Sequence, residues 1–141
     1  MKKFFLSVAA LIITGSLISF KIPTTKMSNI VTIQDSNKGK AIYSKTCVAC
    51  HQANGQGIPN AFPPLAKSDY LNKDVNRAIK IVLNGLNGPI TVNGAKYNSA
   101  MTSQGLTDQQ VADVLTYVYS SWGNNNSKVT PAMVKAQRGK K

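Results

Sequence analysis

The sequence predicts an all-α domain, three to four short helices joined by long loops. Three observations predict it. Apolar residues recur at helical spacing in short stretches, opened by capping residues and closed by glycine. The segments between them are rich in Gly, Asn and Pro, a composition that holds no regular element. And of 141 residues 43% are hydrophobic but only 7% aromatic, which suits one small domain with appendages whose side chains alone build a meagre core.

Met1-Lys2-Lys3 is a short basic segment, and Phe4 to Phe20 (FFLSVAALIITGSLISF) then runs without a charge. Residues 1–20 therefore read as a secretory signal peptide. The alternative is an uncleaved N-terminal anchor, because no good small-residue cleavage site precedes Lys21 and the run is about long enough to span a bilayer. Residues 21–36 read as a polar linker, ending in Asp35-Ser36-Asn37, which supplies N-cap candidates for a helix over roughly Lys38 to Thr46. Residues 37–123 form the domain. A loop, Gln52 to Pro64 (QANGQGIPNAFPP), follows the first helix. Asp74 can cap a second helix from Val75 to Asn84, with Val75, Ala78, Ile79 and Val82 on one face and Gly85 at its end. Gly88 to Tyr97 reads as a small hairpin-like turn with Asn93-Gly94 at its tip. Thr107 and Gln110 form a capping box for the clearest helix, whose stripe is Val111, Val114, Leu115 and Val118 and which Gly123 stops. Residues 124–141, polar and basic, read as an extended tail.

The chemistry lies in Cys47-Val48-Ala49-Cys50-His51, which holds both cysteines and the only histidine of the chain. Two Cys separated by two residues, with His directly after, is the spacing at which one haem c is attached covalently. The thiols add across the vinyl groups as thioethers, and the adjacent imidazole is placed to bind the iron. A structural zinc site needs a second pair of ligands, which the chain lacks. A thioredoxin-like redox pair wants a βαβ context that is absent, and a simple disulfide leaves His51 unexplained. A haem would supply much of the core that the side chains cannot. For its sixth ligand the candidates are Met, Lys, Tyr, water or nothing. Met1 lies in the N-terminal segment, Met27 in the linker and Met133 in the tail, whereas Met101 stands in a polar loop before the capped helix. Met101 is therefore the preferred ligand, over the ordinary role of methionine as core filler.

From about Asn37 to Gly123 the chain resembles a small class I bacterial cytochrome c, monohaem and His/Met-ligated. The resemblance rests on Gly39-Lys40-Ala41-Ile42-Tyr43, on CVACH, on Phe62-Pro63-Pro64-Leu65, and on Tyr97-Asn98-x-x-Met101 before the capped helix. It implies a small cytochrome c fold wrapped around the haem, with Cys47 and Cys50 as attachment points and His51 and Met101 as iron ligands. It further implies that the Pro63 carbonyl accepts from the imidazole N–H, that Leu65, Tyr97 and Asn98 belong to the haem site, and that Gly39 meets the Tyr117 side of the last helix. Many relatives carry Pro after the ligand Met; Thr102 stands here, which implies a more mobile distal loop. The C-terminal VTPAMVKAQRGKK also resembles the tail of cytochrome c domains that accompany copper nitrite reductases or terminal oxidases.

The function so implied is one-electron transfer by a non-enzymatic carrier, exported to the periplasm and, if the anchor is kept, held at the inner membrane. The formal charge is +12, and removal of residues 1–20 would leave 15 basic residues against 5 acidic, +10. With no nucleic-acid motif present, acidic redox proteins (an oxidase, a reductase or a donor dehydrogenase) and the membrane surface are the implied partners. Two other readings remain open: a haem-based gas sensor with a labile Met101, and a haem c subunit of a larger respiratory enzyme.

Overall fold

The computed structural model describes residues 27–140. The N-terminal segment, residues 1–20, and the first part of the linker lie outside the described residues. Among the described residues the chain forms α1 (Met27–Thr46), α2 (Val48–His51), α3 (Asp69–Lys73), α4 (Val75–Asn84), the hairpin strands β1 (Ile90–Val92) and β2 (Ala95–Tyr97), α5 (Asp108–Ser120) and α6 (Pro131–Gln137). No helix among them is long and apolar enough to cross a membrane.

α1 and α5 are the principal pair. They cross where Gly39 leaves room: a Cβ there would sit 2.7 Å from the Tyr117 Cβ and would collide with the Asp113 carbonyl. Helix backbones approach this closely only where a side chain is missing. Around the crossing Tyr43, Tyr117 and Trp122 form a tilted aromatic cluster, with ring centroids 5.1–5.6 Å apart. α1 starts at Met27, not at Lys38 as the sequence suggests. Cap-forming residues end a helix only when their side chains bond its first N–H groups, and no Pro or Gly interrupts the stretch from Met27 to Asn37.

α4 and α5 follow the sequence pattern. Asp74 accepts from Arg77 N–H at 3.0 Å to open α4, and Gly85 N–H donates to the Ile81 carbonyl at 2.8 Å to close it. The capping box of α5 is complete: Thr107 Oγ1 accepts from Gln110 N–H at 3.3 Å while Gln110 Oε1 accepts from Thr107 N–H at 2.9 Å. Its stripe of Val111, Val114, Leu115 and Val118 is buried, with Ala112 and Tyr119 alongside. α5 ends three residues before Gly123, and Trp122 and Gly123, both left-handed, reverse the chain. In the hairpin, Ile90 pairs with Tyr97 and Val92 with Ala95 across the Asn93-Gly94 turn.

The C-terminal region departs most from the sequence reading. Residues 124–140 are not an extended tail. Asn124 is buried and bonds four ways: its Nδ2 donates to the Leu65 and Val118 carbonyls, each at 2.9 Å, and its Oδ1 accepts from Ser68 N–H and Asn72 Nδ2. Val129 pairs with Thr116, then α6 begins with Thr130 as its cap and Pro131 in its first turn. That is a start signal a polar composition conceals. α6 packs on α4 and α5 through Val134, which is fully buried. Two apolar side chains and a cap suffice to dock a short helix that could not stand alone.

Candidate functional site

α2 is a single turn closed on the Cys47 carbonyl, which accepts from Cys50 N–H at 3.3 Å and from His51 N–H at 3.0 Å. That turn puts positions 47, 50 and 51 on one face, because residues three and four apart are neighbours on a helix. The two thiols are not bonded to each other. After His51 the chain turns under the helix: Gln52 is left-handed, its carbonyl accepts from the Tyr43 hydroxyl at 2.7 Å, and Gly57 N–H donates to the His51 carbonyl. The loop returns at Phe62–Leu65, fixed by Leu65 and Ala66 N–H groups that both donate to the Gly55 carbonyl.

This return brings the Pro63 carbonyl within 3.0 Å of His51 Nδ1. A carbonyl only accepts, so Nδ1 carries the proton and donates, and the lone pair is left on Nε2. Burial pushes the imidazole below its ordinary value, against the pull of the Pro63 hydrogen bond, so the ring is neutral at neutral pH. A neutral, oriented imidazole is what a metal ligand requires. Burial likewise pushes the Cys47 thiol up; the Thr46 hydroxyl opposes this and the neighbouring Cys50 adds to it.

His51, Cys47 and Cys50 line a cavity of about 210 Å³ that reaches across to Met101. A packed domain leaves few voids larger than one water, so an apolar cavity of this size is a seat for a large group. Pro63, Leu65 and Tyr97 also line it. Asn98 does not: β2 ends at Tyr97, which faces inward, and the next residue of an extended chain points the other way, leaving Asn98 exposed.

Met101 is held in register by Leu86. The two exchange a pair of backbone hydrogen bonds, each 2.8 Å. Gly85 makes this possible, since its φ is +84° and a Cβ there would lie 2.5 Å from the Met101 carbonyl. Beyond Met101, Ser103 Oγ donates to the Leu83 carbonyl at 2.6 Å and Gln104 N–H to the Val82 carbonyl at 3.3 Å. Four bonds thus tie the segment that carries Thr102 to α4 and the residues just after it.

Sequence reasoning missed Arg77. Among the described residues it is the one cationic side chain on the cavity wall, stacked 3.7 Å over the Tyr70 ring and bonded to the Tyr70 carbonyl. A guanidinium at the edge of an apolar cavity calls for an anion, and a carboxylate is its natural partner. The available signal was scarcity: the chain has two Arg among its 17 basic residues, and Arg is the cation suited to fixed, stacked positions.

Two thiols and a neutral imidazole on one helical face, a thioether reaching the same apolar cavity, and one guanidinium at its wall together fit a flat apolar macrocycle with a metal centre and a carboxylate fringe. That defines a small helical haem protein. The family model described as Cytochrome c matches residues 36–122, and this chain belongs to the cytochrome c family, with one covalently bound haem c. It is 46% identical over 91 residues to cytochrome c-552 of Thermus thermophilus, covering 61% of this chain and 69% of that one. It is also 37% identical over 94 residues to the gluconate 2-dehydrogenase cytochrome c subunit of Pantoea cypripedii, covering 64% of this chain. A third relative, the cytochrome c subunit of alcohol dehydrogenase (quinone) of Gluconobacter oxydans, is 33% identical over 93 residues. The chain spans only about a fifth of these two subunits, 21% and 19% of their lengths. The protein is a cytochrome c electron carrier.

Proposed function

We propose that this protein is an exported, soluble or membrane-anchored carrier that takes one electron from a donor dehydrogenase and passes it to an acidic acceptor such as a terminal oxidase or nitrite reductase. The observation that carries the reading is the shared cavity of His51 and Met101, with the His51 ring already oriented by Pro63. When bound, haem c supplies one iron that cycles between Fe(III) and Fe(II). Cys47 and Cys50 would hold the group by thioether bonds, and His51 Nε2 and Met101 Sδ would be its iron ligands. Pro63 strengthens His51 as a donor through the hydrogen bond to Nδ1. Leu65 and Tyr97 exclude water, which together with the thioether ligand favours a positive potential. Arg77 would offset a carboxylate of the group.

The surface supports the choice of partner. Of 5 acidic residues none is Glu, and among the described residues a single ion pair, Arg138–Asp108, neutralises a Lys or Arg. The remaining positive field would steer association with an acidic face. Export follows from the N-terminal segment, Met1 to Phe20, and from the attachment chemistry, which in bacteria takes place outside the cytoplasm.

Visible spectra of the purified protein, oxidised and then reduced with CO added, test the axial pair. A low-spin spectrum with the weak red band of Met–Fe(III) ligation, unchanged by CO, is expected. A high-spin spectrum or a prompt CO shift would overturn it and favour the gas-binding reading. The second reading, a haem c subunit of a larger enzyme, is favoured by the dehydrogenase subunits among the relatives. It predicts stable co-purification with a dehydrogenase, where a free carrier elutes alone.

A further inference from the structure

The C-terminal segment has no part in the reading above, yet it grips both ends of the segment that carries Met101. Residues 85–107 form a flap between α4 and α5. At its first hinge Asn84 Nδ2 donates to the Lys140 carbonyl at 3.2 Å. At its second hinge Arg138 Nη2 donates to the Leu106 carbonyl at 3.0 Å, and Arg138 Nε pairs with Asp108 Oδ1 at 2.7 Å. Both hinges are thus held from residues 138–140.

Those residues are themselves fixed. Arg138 N–H donates to the Val134 and Lys135 carbonyls at the end of α6. α6 is seated by Val134, and the stretch before it by the reciprocal Thr116–Val129 bonds of 3.1 and 3.2 Å. The bonds on either side of Met101 run to Leu86, Leu83 and Val82, all on the α4 side, and the hairpin tip is tied to α3 where Asp69 and Asn93 exchange bonds of 2.7 and 3.0 Å. If the flap lifts from α4, it swings on Leu106–Asp108, and the Arg138 guanidinium is the side chain that bridges that hinge to a neighbouring helix.

We propose that Arg138 is a positioning residue for Met101, and that the C-terminal helix is a strap that sets how readily the flap lifts from its closed position. This rests on the reading of Met101 as an axial ligand. A strapped flap keeps exogenous ligands out; a released one admits them without any change at Met101 itself. The role also accounts for an arginine here in a chain with one other arginine among 17 basic residues, because one fork reaches a carbonyl and a carboxylate at once.

The test uses the holoprotein as wild type, Arg138→Ala, Arg138→Lys, Asp108→Asn and Met101→Ala. Oxidised samples are titrated with imidazole, and amide hydrogen exchange is followed at Met101 and Leu86. R138A should bind imidazole and exchange the Met101 amide about fivefold more readily than wild type, the scale of a half-exposed ion pair. R138K should recover part of the loss, and the far-UV spectrum should not change. If R138A does not fold, D108N removes the same ion pair and gives the same reading. Should M101A respond while R138A and D108N match wild type in both measurements, the strap is wrong and the ligand reading stands. Should wild type bind imidazole as readily as M101A, the ligand reading falls and takes the strap with it.

Discussion

On the proximal side of the cavity, three chemically active residues lie within one helical turn, and the carbonyl that orients His51 comes from 12 residues away. On the distal side, Met101 stands 50 positions after His51 and is held by residues from α4 and, at the flap's hinges, from the C-terminus. The proximal side is a local structure that closes on itself. The distal side is assembled, and each of its ties spans a loop that must first be ordered, an entropic cost that local contacts avoid. Attachment of the group should therefore be robust to distant changes, whereas the placement of Met101, the proposed distal ligand, should be sensitive to them.

The largest effect should come from breaking the local side. Cys47→Ala with Cys50→Ala should leave no haem on the chain after denaturing electrophoresis and haem staining, whatever is done on the distal side. The next effect sharpens the contrast: Met101→Ala should keep the stained haem, bind CO promptly when reduced and lower the midpoint potential in a redox titration. Gly85→Ala should act between these extremes. It places a Cβ against the Met101 carbonyl at a φ of +84° and should cost about 3 kcal/mol in denaturant unfolding, from the left-handed backbone and the forced contact together.

Tyr119 probes the scaffold that both sides share. Its hydroxyl donates to the Leu71 carbonyl at 3.0 Å from a fully buried position. Burial first, then the Asp74 charge, with Arg77 opposing, leaves it pushed up to about 12. The unfolded chain releases this proton near pH 10, so the native state holds more protons above that pH. The contribution is present in full below about pH 10 and is lost as pH rises towards 12, at about 1.4 kcal/mol per unit. Tyr119→Phe should flatten part of that slope in alkaline unfolding followed by circular dichroism. The smallest effect concerns the surface: reaction with an acidic acceptor should slow from low to physiological ionic strength, and a flat response in stopped-flow would contradict steering by the basic face.

Much of this protein was legible before folding was considered. Cys47, Cys50 and His51, the Asp74 and Thr107 caps, the Asn93-Gly94 turn and the apolar stripes of α4 and α5 all act through neighbours within a few residues. Their physics is therefore written in consecutive letters. Asn98 is exposed beside a buried Tyr97, a difference that strand alternation sets and the motif alone does not.

The tertiary structure alone decided the rest. Asp35, Ser36 and Asn37 have cap chemistry, yet the helical backbone runs through them. Asn124 and Arg138 look like polar surface in a basic tail, yet one joins Leu65, Ser68, Asn72 and Val118 and the other bridges α6 to the start of α5. Arg77 reads as a solvated charge until Tyr70 is seen beneath it. In each case the deciding partner is distant in sequence or set by the packing of whole elements. The sequence determined which chemistry the chain could perform, because haem attachment and capping are local. Which residues guard that chemistry depended on long-range closure, which no short window of sequence encodes.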